Sequence, residues 1–153
     1  MIIPCKKIAQ ELERGLKKEV KELKKKKKSI KLVVFLIGSS PDQLSFVKIK
    51  QNIAKKLGVK FQFIHIKTTP TFENLIRLIR ETSHNPETTG IIIQQPLPAQ
   101  LSTDSIYDFI DIKKEIEAHR RKTEFFPPLG LAVLTIFKQL YISPKLIKNC
   151  LLT

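Results

Sequence analysis

Ile8, Leu12, Leu16, Val20 and Leu23 recur every three or four residues near the start of the chain, a spacing that lines one face of a helix and predicts a long amphipathic element. Residues 30–37 are densely apolar and read as a buried strand. A polar turn follows, Gly38-Ser39-Ser40-Pro41-Asp42. Leu44, Val47, Ile53, Ala54 and Leu57 then resume helical spacing until Gly58 stops it. Residues 59–66 predict a second strand. Thr69-Pro70-Thr71 leads into a helix marked by Phe72, Leu75, Ile76 and Ile79. After an Asn85-Pro86 turn, residues 90–93 form a short third strand. Ser102 is expected to cap a short helix carrying Ile106, Phe109 and Ile110. Leu131, Leu134, Phe137 and Leu140 outline a final helix. Helix–strand alternation with such short connections predicts an α/β fold, a three-layer domain with a mostly parallel central sheet flanked by helices. No internal repeat is evident.

At 153 residues the chain suits a single core of moderate size. No apolar run approaches the ~20 residues that span a bilayer, and Met1-Ile2-Ile3-Pro4-Cys5-Lys6 lacks the order of a signal peptide. Cys5 and Cys150 stand far apart without a CxxC pattern, so neither a zinc site nor dependence on a disulfide is expected. The chain reads as cytoplasmic. His65, His84 and His119 have no partner at ligand spacing and are assigned, with both cysteines, to structure or solvent.

Charge changes the picture more. Twenty-eight Lys plus Arg against fourteen Asp plus Glu give +14, and residues 24–28 are five consecutive lysines. Such a field favours anions in general, nucleic acid and acidic small molecules among them. Nothing beyond charge supports a nucleic-acid partner, because no helix-turn-helix, zinc finger or aromatic-interleaved basic strand appears. The five lysines fit the carbonyl end of the first helix, where cations complement the dipole.

Candidate chemistry gathers in two segments. Gly90-Ile91-Ile92-Ile93 ends abruptly in Gln94-Gln95-Pro96-Leu97-Pro98. In α/β folds ligands sit beyond the carboxyl ends of strands, so both amides stand where a ligand would be read, and an amide offers donors and an acceptor together. A polar strand end running into a Pro-rich loop fits these residues equally well. Ser45-Phe46-Val47-Lys48-Ile49-Lys50 opens the second helix. Phe46 and Lys50 are four apart and share one face, offset from the core stripe. On spacing alone they also read as a core aromatic and a solvated lysine.

Together the two segments resemble the methylenetetrahydrofolate dehydrogenase/cyclohydrolase family, with its aromatic-Val-x-x-Lys helix after a Gly-x-x-Pro turn and its Gly-Ile-x-Val-Gln-x-Pro-Leu-Pro strand end. The resemblance implies that Lys50 is a general acid/base and that Gln94 orients Lys50 or the folate. Phe46 would stack on the pterin or aminobenzoyl ring, in the place of the family's tyrosine. Pro96 and Leu97 would also touch substrate. Lys114-Glu115-Ile116-Glu117-Ala118 stands where the family has Lys-Asp-Val-Asp-Gly, so Glu117 would hydrogen-bond the pterin from one methylene further out. Ala118 replaces a glycine, at a cost of roughly 1 kcal/mol in any left-handed conformation. Pro127-Pro128-Leu129-Gly130 keeps only the first proline of the family's Pro-Cys-Thr-Pro turn.

Residues 1–142 are thus expected to form a folate-binding catalytic domain. Residues 143–153 would be a linker or the truncated start of a second, NAD(P)-binding domain, itself absent. Full-length members use NADP and are commonly dimeric. None of the five glycines lies in a G-x-G-x-x-G pattern, so no cofactor is expected on this chain alone. Cyclohydrolase chemistry, which needs only water and the folate pocket, is the activity expected to survive. The alternative is a non-catalytic remnant or a basic anion-binding protein.

Overall fold

A computed structural model describes residues 3–139. Leu140, Cys150 and the expected linker at 143–153 lie outside the described residues. Four α-helices, α1 (Cys5–Lys25), α2 (Pro41–Leu57), α3 (Phe72–His84) and α4 (Pro128–Gln139), accompany three strands, β1 (Lys31–Ile37), β2 (Lys60–Ile66) and β3 (Gly90–Ile93). The strands are parallel in the order β2-β1-β3. β1 and β2 each begin one residue later than the apolar pattern predicts.

The central place of β1 explains its composition. Val33, Val34, Phe35, Leu36 and Ile37 are all buried, because a strand paired on both edges and covered on both faces meets no solvent. Alternation along the strand divides the core in two. Val33, Phe35 and Ile37 join Leu75 and Ile79 of α3, with Ile91 and Ile93 of β3. Val34 and Leu36 face the other way and join Val47 of α2 and Ile92. The connection from β1 to β2 runs one way across the sheet, and that from β2 to β3 runs back past β1. Two right-handed crossovers of opposite direction place α2 and α3 on opposite faces. The crevice where the direction reverses opens between the carboxyl ends of β1 and β3, the usual ligand position for this strand order.

Local chemistry sets the boundaries. Thr71 caps α3 by accepting from the Asn74 amide at 3.3 Å. Gly58 ends α2 in the left-handed conformation (φ 77°), and a Cβ there would stand 2.8 Å from the Lys24 ammonium. The lysine run closes α1 as expected: the helix ends at Lys25, and Lys27 turns left-handed at φ 57°.

Two expectations need correction. Ser102 does not cap the helix after it; its amide donates to Ala99 O at 3.3 Å and closes the 3₁₀ turn Ala99–Leu101. The next element is a 3₁₀ helix, Asp104–Phe109, entered at Thr103 and leaving Ile110 beyond its end. The final helix matches its predicted place, but none of its residues is buried.

Candidate functional site

The crevice is built from three segments. In the first turn of α2, buried Gln43 donates its amide to Pro96 O at 2.7 Å, tying that helix to the loop beyond β3. Phe46 follows and is 58% exposed, so it belongs to no core cluster, and at four residues from Lys50 it lies on the same face of α2. Lys50 lies one turn further on.

Beyond β3, the Gln94 amide donates to Phe35 O at 2.9 Å and continues the ladder by one step. That bond fixes the Gln94 side chain, which is buried. Its Oε1 accepts from Lys50 Nζ at 3.0 Å, and its Nε2 donates to Gln95 O at 3.0 Å. The Gln95–Pro96 peptide is cis. Gln95 does not face a ligand: its Nε2 donates to the Tyr107 hydroxyl and its Oε1 accepts from Leu97 N at 3.1 Å. Pro96 is exposed. Leu97 is buried in the cluster on the α3 face and forms one wall of a cavity of about 200 Å3.

The third segment runs from Lys114 to Arg120. It flanks the outer edge of β3, with Ile91 N donating to Lys114 O at 2.8 Å. Glu115 is 1% exposed, and its carboxylate accepts from the amides of Glu117 (2.9 Å), His119 (3.1 Å) and Arg120 (3.5 Å). These bonds curl the chain so that Ala118 adopts φ 60°, the left-handed backbone that the missing glycine would have favoured. Glu117 is thereby aimed inward, with Oε1 3.4 Å from Lys50 Nζ and Oε2 3.9 Å from His119 Nε2.

Of the expected site residues, Lys50 contacts both Gln94 and Glu117, and Phe46 shares the helix face of Lys50. Glu115, Tyr107 and His119 complete the surroundings without having been assigned that place, and Gln95, expected beside the ligand, is engaged with Tyr107 instead. His119 lies against the Tyr107 ring at 4.5 Å between centroids, a structural contact. His65 does serve structure: its Nε2 lies 2.8 Å from Gly38 O and supports the turn after β1.

Among the described residues, Tyr107 is the titrating group with a clear shift. Burial pushes its phenol from 10.0 up to about 12; the Gln95 hydrogen bond opposes this, and the carboxylates of Glu117, Glu115 and Asp104 add to it. The neutral phenol therefore contributes stability that is complete below the ordinary tyrosine range and is lost as pH rises from 10.0 towards about 12. An alkaline absorbance titration of the two tyrosines, Tyr107 and Tyr141, is expected to show a late step that Tyr107→Phe removes. Ionisation of both at the ordinary value in the folded chain would contradict the environment described.

The described residues do not fit a dinucleotide. Gly38 lies in the strand-to-helix turn, but its N–H is bonded to Ile66 O at 2.9 Å, and α2 opens on Pro41, which has no N–H. Gly15 and Gly130 lie within helices, Gly58 ends one and Gly90 opens β3. Among the described residues no group of three metal-ligating side chains occurs, and no helix is long and apolar enough to cross a membrane.

A parallel sheet with lysine, amide and carboxylate gathered at its switch point defines an α/β domain of the small-ligand type. The family model "Tetrahydrofolate dehydrogenase/cyclohydrolase, catalytic domain" matches residues 3–117, and the chain belongs to that family. The bifunctional protein FolD of Bacillus pumilus is 33% identical over 141 residues, covering 92% of this chain and 47% of its own. The Campylobacter jejuni bifunctional enzyme FolD, a methylenetetrahydrofolate dehydrogenase/cyclohydrolase, superposes with a TM-score of 0.86 at 24% identity over 93% of this chain and 54% of that one. The Trypanosoma brucei enzyme, solved with NADP cofactor and inhibitor, gives 0.77 at 18% identity over 90% and 51%. These structural likenesses establish the fold. The chain spans about half the length of the curated relatives it matches.

Proposed function

We propose that residues 1–142 form a folate-binding catalytic domain in one-carbon metabolism, with residues 143–153 leading out of it, and that its chemistry is hydrolysis of 5,10-methenyltetrahydrofolate to the 10-formyl form. The observation that carries this reading is the Lys50 ammonium held between Gln94 Oε1 at 3.0 Å and Glu117 Oε1 at 3.4 Å, one turn from the exposed Phe46 ring. Phe46 supplies a stacking face for an aromatic ring of the substrate. Gln94 and Glu117 offer hydrogen bonds to the pterin edge, Pro96 lies exposed beside them, and Leu97 backs the loop.

In this reaction water adds to the amidinium carbon and gives up a proton. The carbon–nitrogen bond to the ring nitrogen then opens as that nitrogen takes up one proton and the new hydroxyl loses its own to become the formyl carbonyl. Two protons are released, one is consumed and one is left over, with the formyl group on the other nitrogen. Lys50 moves these protons, with Gln94 fixing its direction and Glu117 accepting from it. No hydride step follows from the described residues. Interconversion with the methylene form, use of NADP and dimerisation belong to what the family's longer members imply.

Calorimetry tests the assignment. The chain is expected to bind a methenyltetrahydrofolate analogue more tightly than NADP. Binding of duplex DNA with a steep salt dependence, and none of folate, would overturn it in favour of a basic binding protein.

A further inference from the structure

The contacts around Lys50 form a closed circuit. Lys50 reaches Gln94, Gln94 Nε2 reaches Gln95 O, and Gln95 Nε2 reaches the Tyr107 hydroxyl. The Tyr107 ring lies on His119 at 4.5 Å, His119 Nε2 faces Glu117 Oε2 at 3.9 Å, and Glu117 Oε1 returns to Lys50 at 3.4 Å. His119 therefore stands behind the carboxylate that Lys50 touches. Its side chain is 39% exposed and forms part of the cavity of about 200 Å3 bounded by Gln95, Ser102, Thr103, Asp104 and Tyr107.

We propose that His119 is a positioning residue for this reaction, standing 3.9 Å from the second oxygen of Glu117 and, through one bridging water, passing the proton released by hydrolysis from Glu117 to the cavity beside Asp104. The inference rests on the hydrolase reading above. The balance is simple: each turnover frees one proton, Lys50 hands it to Glu117, and the imidazole takes it up and gives it to water. Tyr107 keeps its proton to about pH 12 and does not compete as acceptor at neutral pH. The charged and titratable groups facing His119 are Glu117 of its own loop, Glu115 beneath its backbone, Tyr107 and Asp104 of the 3₁₀ helix, and Lys50 beyond Glu117, while the Arg120 guanidinium turns away to Ile110 O and Asp108.

His119→Phe retains the stack on Tyr107 and removes both ring nitrogens. Its kcat for methenyltetrahydrofolate hydrolysis is expected to fall by about tenfold, less than the ~10²–10⁴ of a group touching substrate. KM should stay within about twofold, because uniform binding is unchanged. The pH–rate profile should change shape, and added imidazole should restore His119→Ala through the cavity. Without substrate, Glu117→Gln should move the NMR signals of the His119 ring and leave those of His65 and His84 in place. An active parent whose His119→Phe variant keeps its kcat and pH profile overturns this inference alone. A parent without hydrolysis overturns the hydrolase reading and this inference with it.

Discussion

Lys50→Met is expected to cost the chain its hydrolysis of methenyltetrahydrofolate while leaving the fold intact. The loss should be ~10²–10⁴-fold in kcat, the usual worth of a positioned acid/base group. The substitution isolates the ammonium. Methionine keeps a long unbranched stem and a good helix propensity in the middle of α2, and the Lys50 side chain is already 30% exposed. Gln94 Oε1 and Glu117 Oε1 lose their donor, but solvent reaches this edge of the crevice and can replace it. Far-ultraviolet circular dichroism and the thermal midpoint should therefore match the parent. A folded Lys50→Met chain that hydrolyses at the parent rate would refute the mechanism, whatever the affinity for folate.

The parts of this site legible in the sequence are those that local spacing governs. Phe46 and Lys50 share a face because they are four apart on a helix, and Gln94 stands at a strand end because a β-branched run stops before proline. The strands were legible for a related reason: a central parallel strand needs continuous apolar residues, and residues 33–37 supply them. What escaped depends on contacts distant in sequence. Tyr107 meets Gln95 across twelve positions, and Glu117 meets Lys50 across sixty-seven; the family resemblance put Glu117 and Lys50 in one site but did not put them in contact. Spacing could not identify the 3₁₀ helix either, since Ile106, Phe109 and Ile110 suit that geometry and an α-helix alike. In α4 the apolar pattern gave the right element and the wrong surroundings. Leu131 and Leu134 remain 52% and 44% exposed because nothing among the described residues covers them.

The second large effect is expected at Glu115, where the damage should be to stability first and to catalysis through it. Glu115 is the most deeply buried charged side chain among the described residues, at 1% exposure, and makes no ion pair there. Its compensation comes from backbone amides: Glu117 on one oxygen, His119 and Arg120 on the other. Hydrogen bonds to a charged acceptor are worth about 1.5–3 kcal/mol each, and an abandoned buried donor costs about 1–3 kcal/mol. Glu115→Ala removes the acceptor and strands amides in a turn already strained at Ala118. A loss of about 3 kcal/mol or more is expected from those terms, lowering the thermal midpoint by about 10 °C for a chain of this size. Glu115→Gln keeps one acceptor oxygen and should lose about half as much, by the same terms. Because the turn carries Glu117 and His119, both variants should also slow hydrolysis at temperatures where they remain folded. The comparison with Ala118→Gly separates the two causes. Glycine relieves the left-handed strain and should stabilise by roughly 1 kcal/mol without touching the carboxylate. In the double variant it should recover that amount of stability but not the geometry that Glu115 imposes. A Glu115→Ala chain with the parent's melting temperature and rate would show that the turn holds its shape without the buried carboxylate.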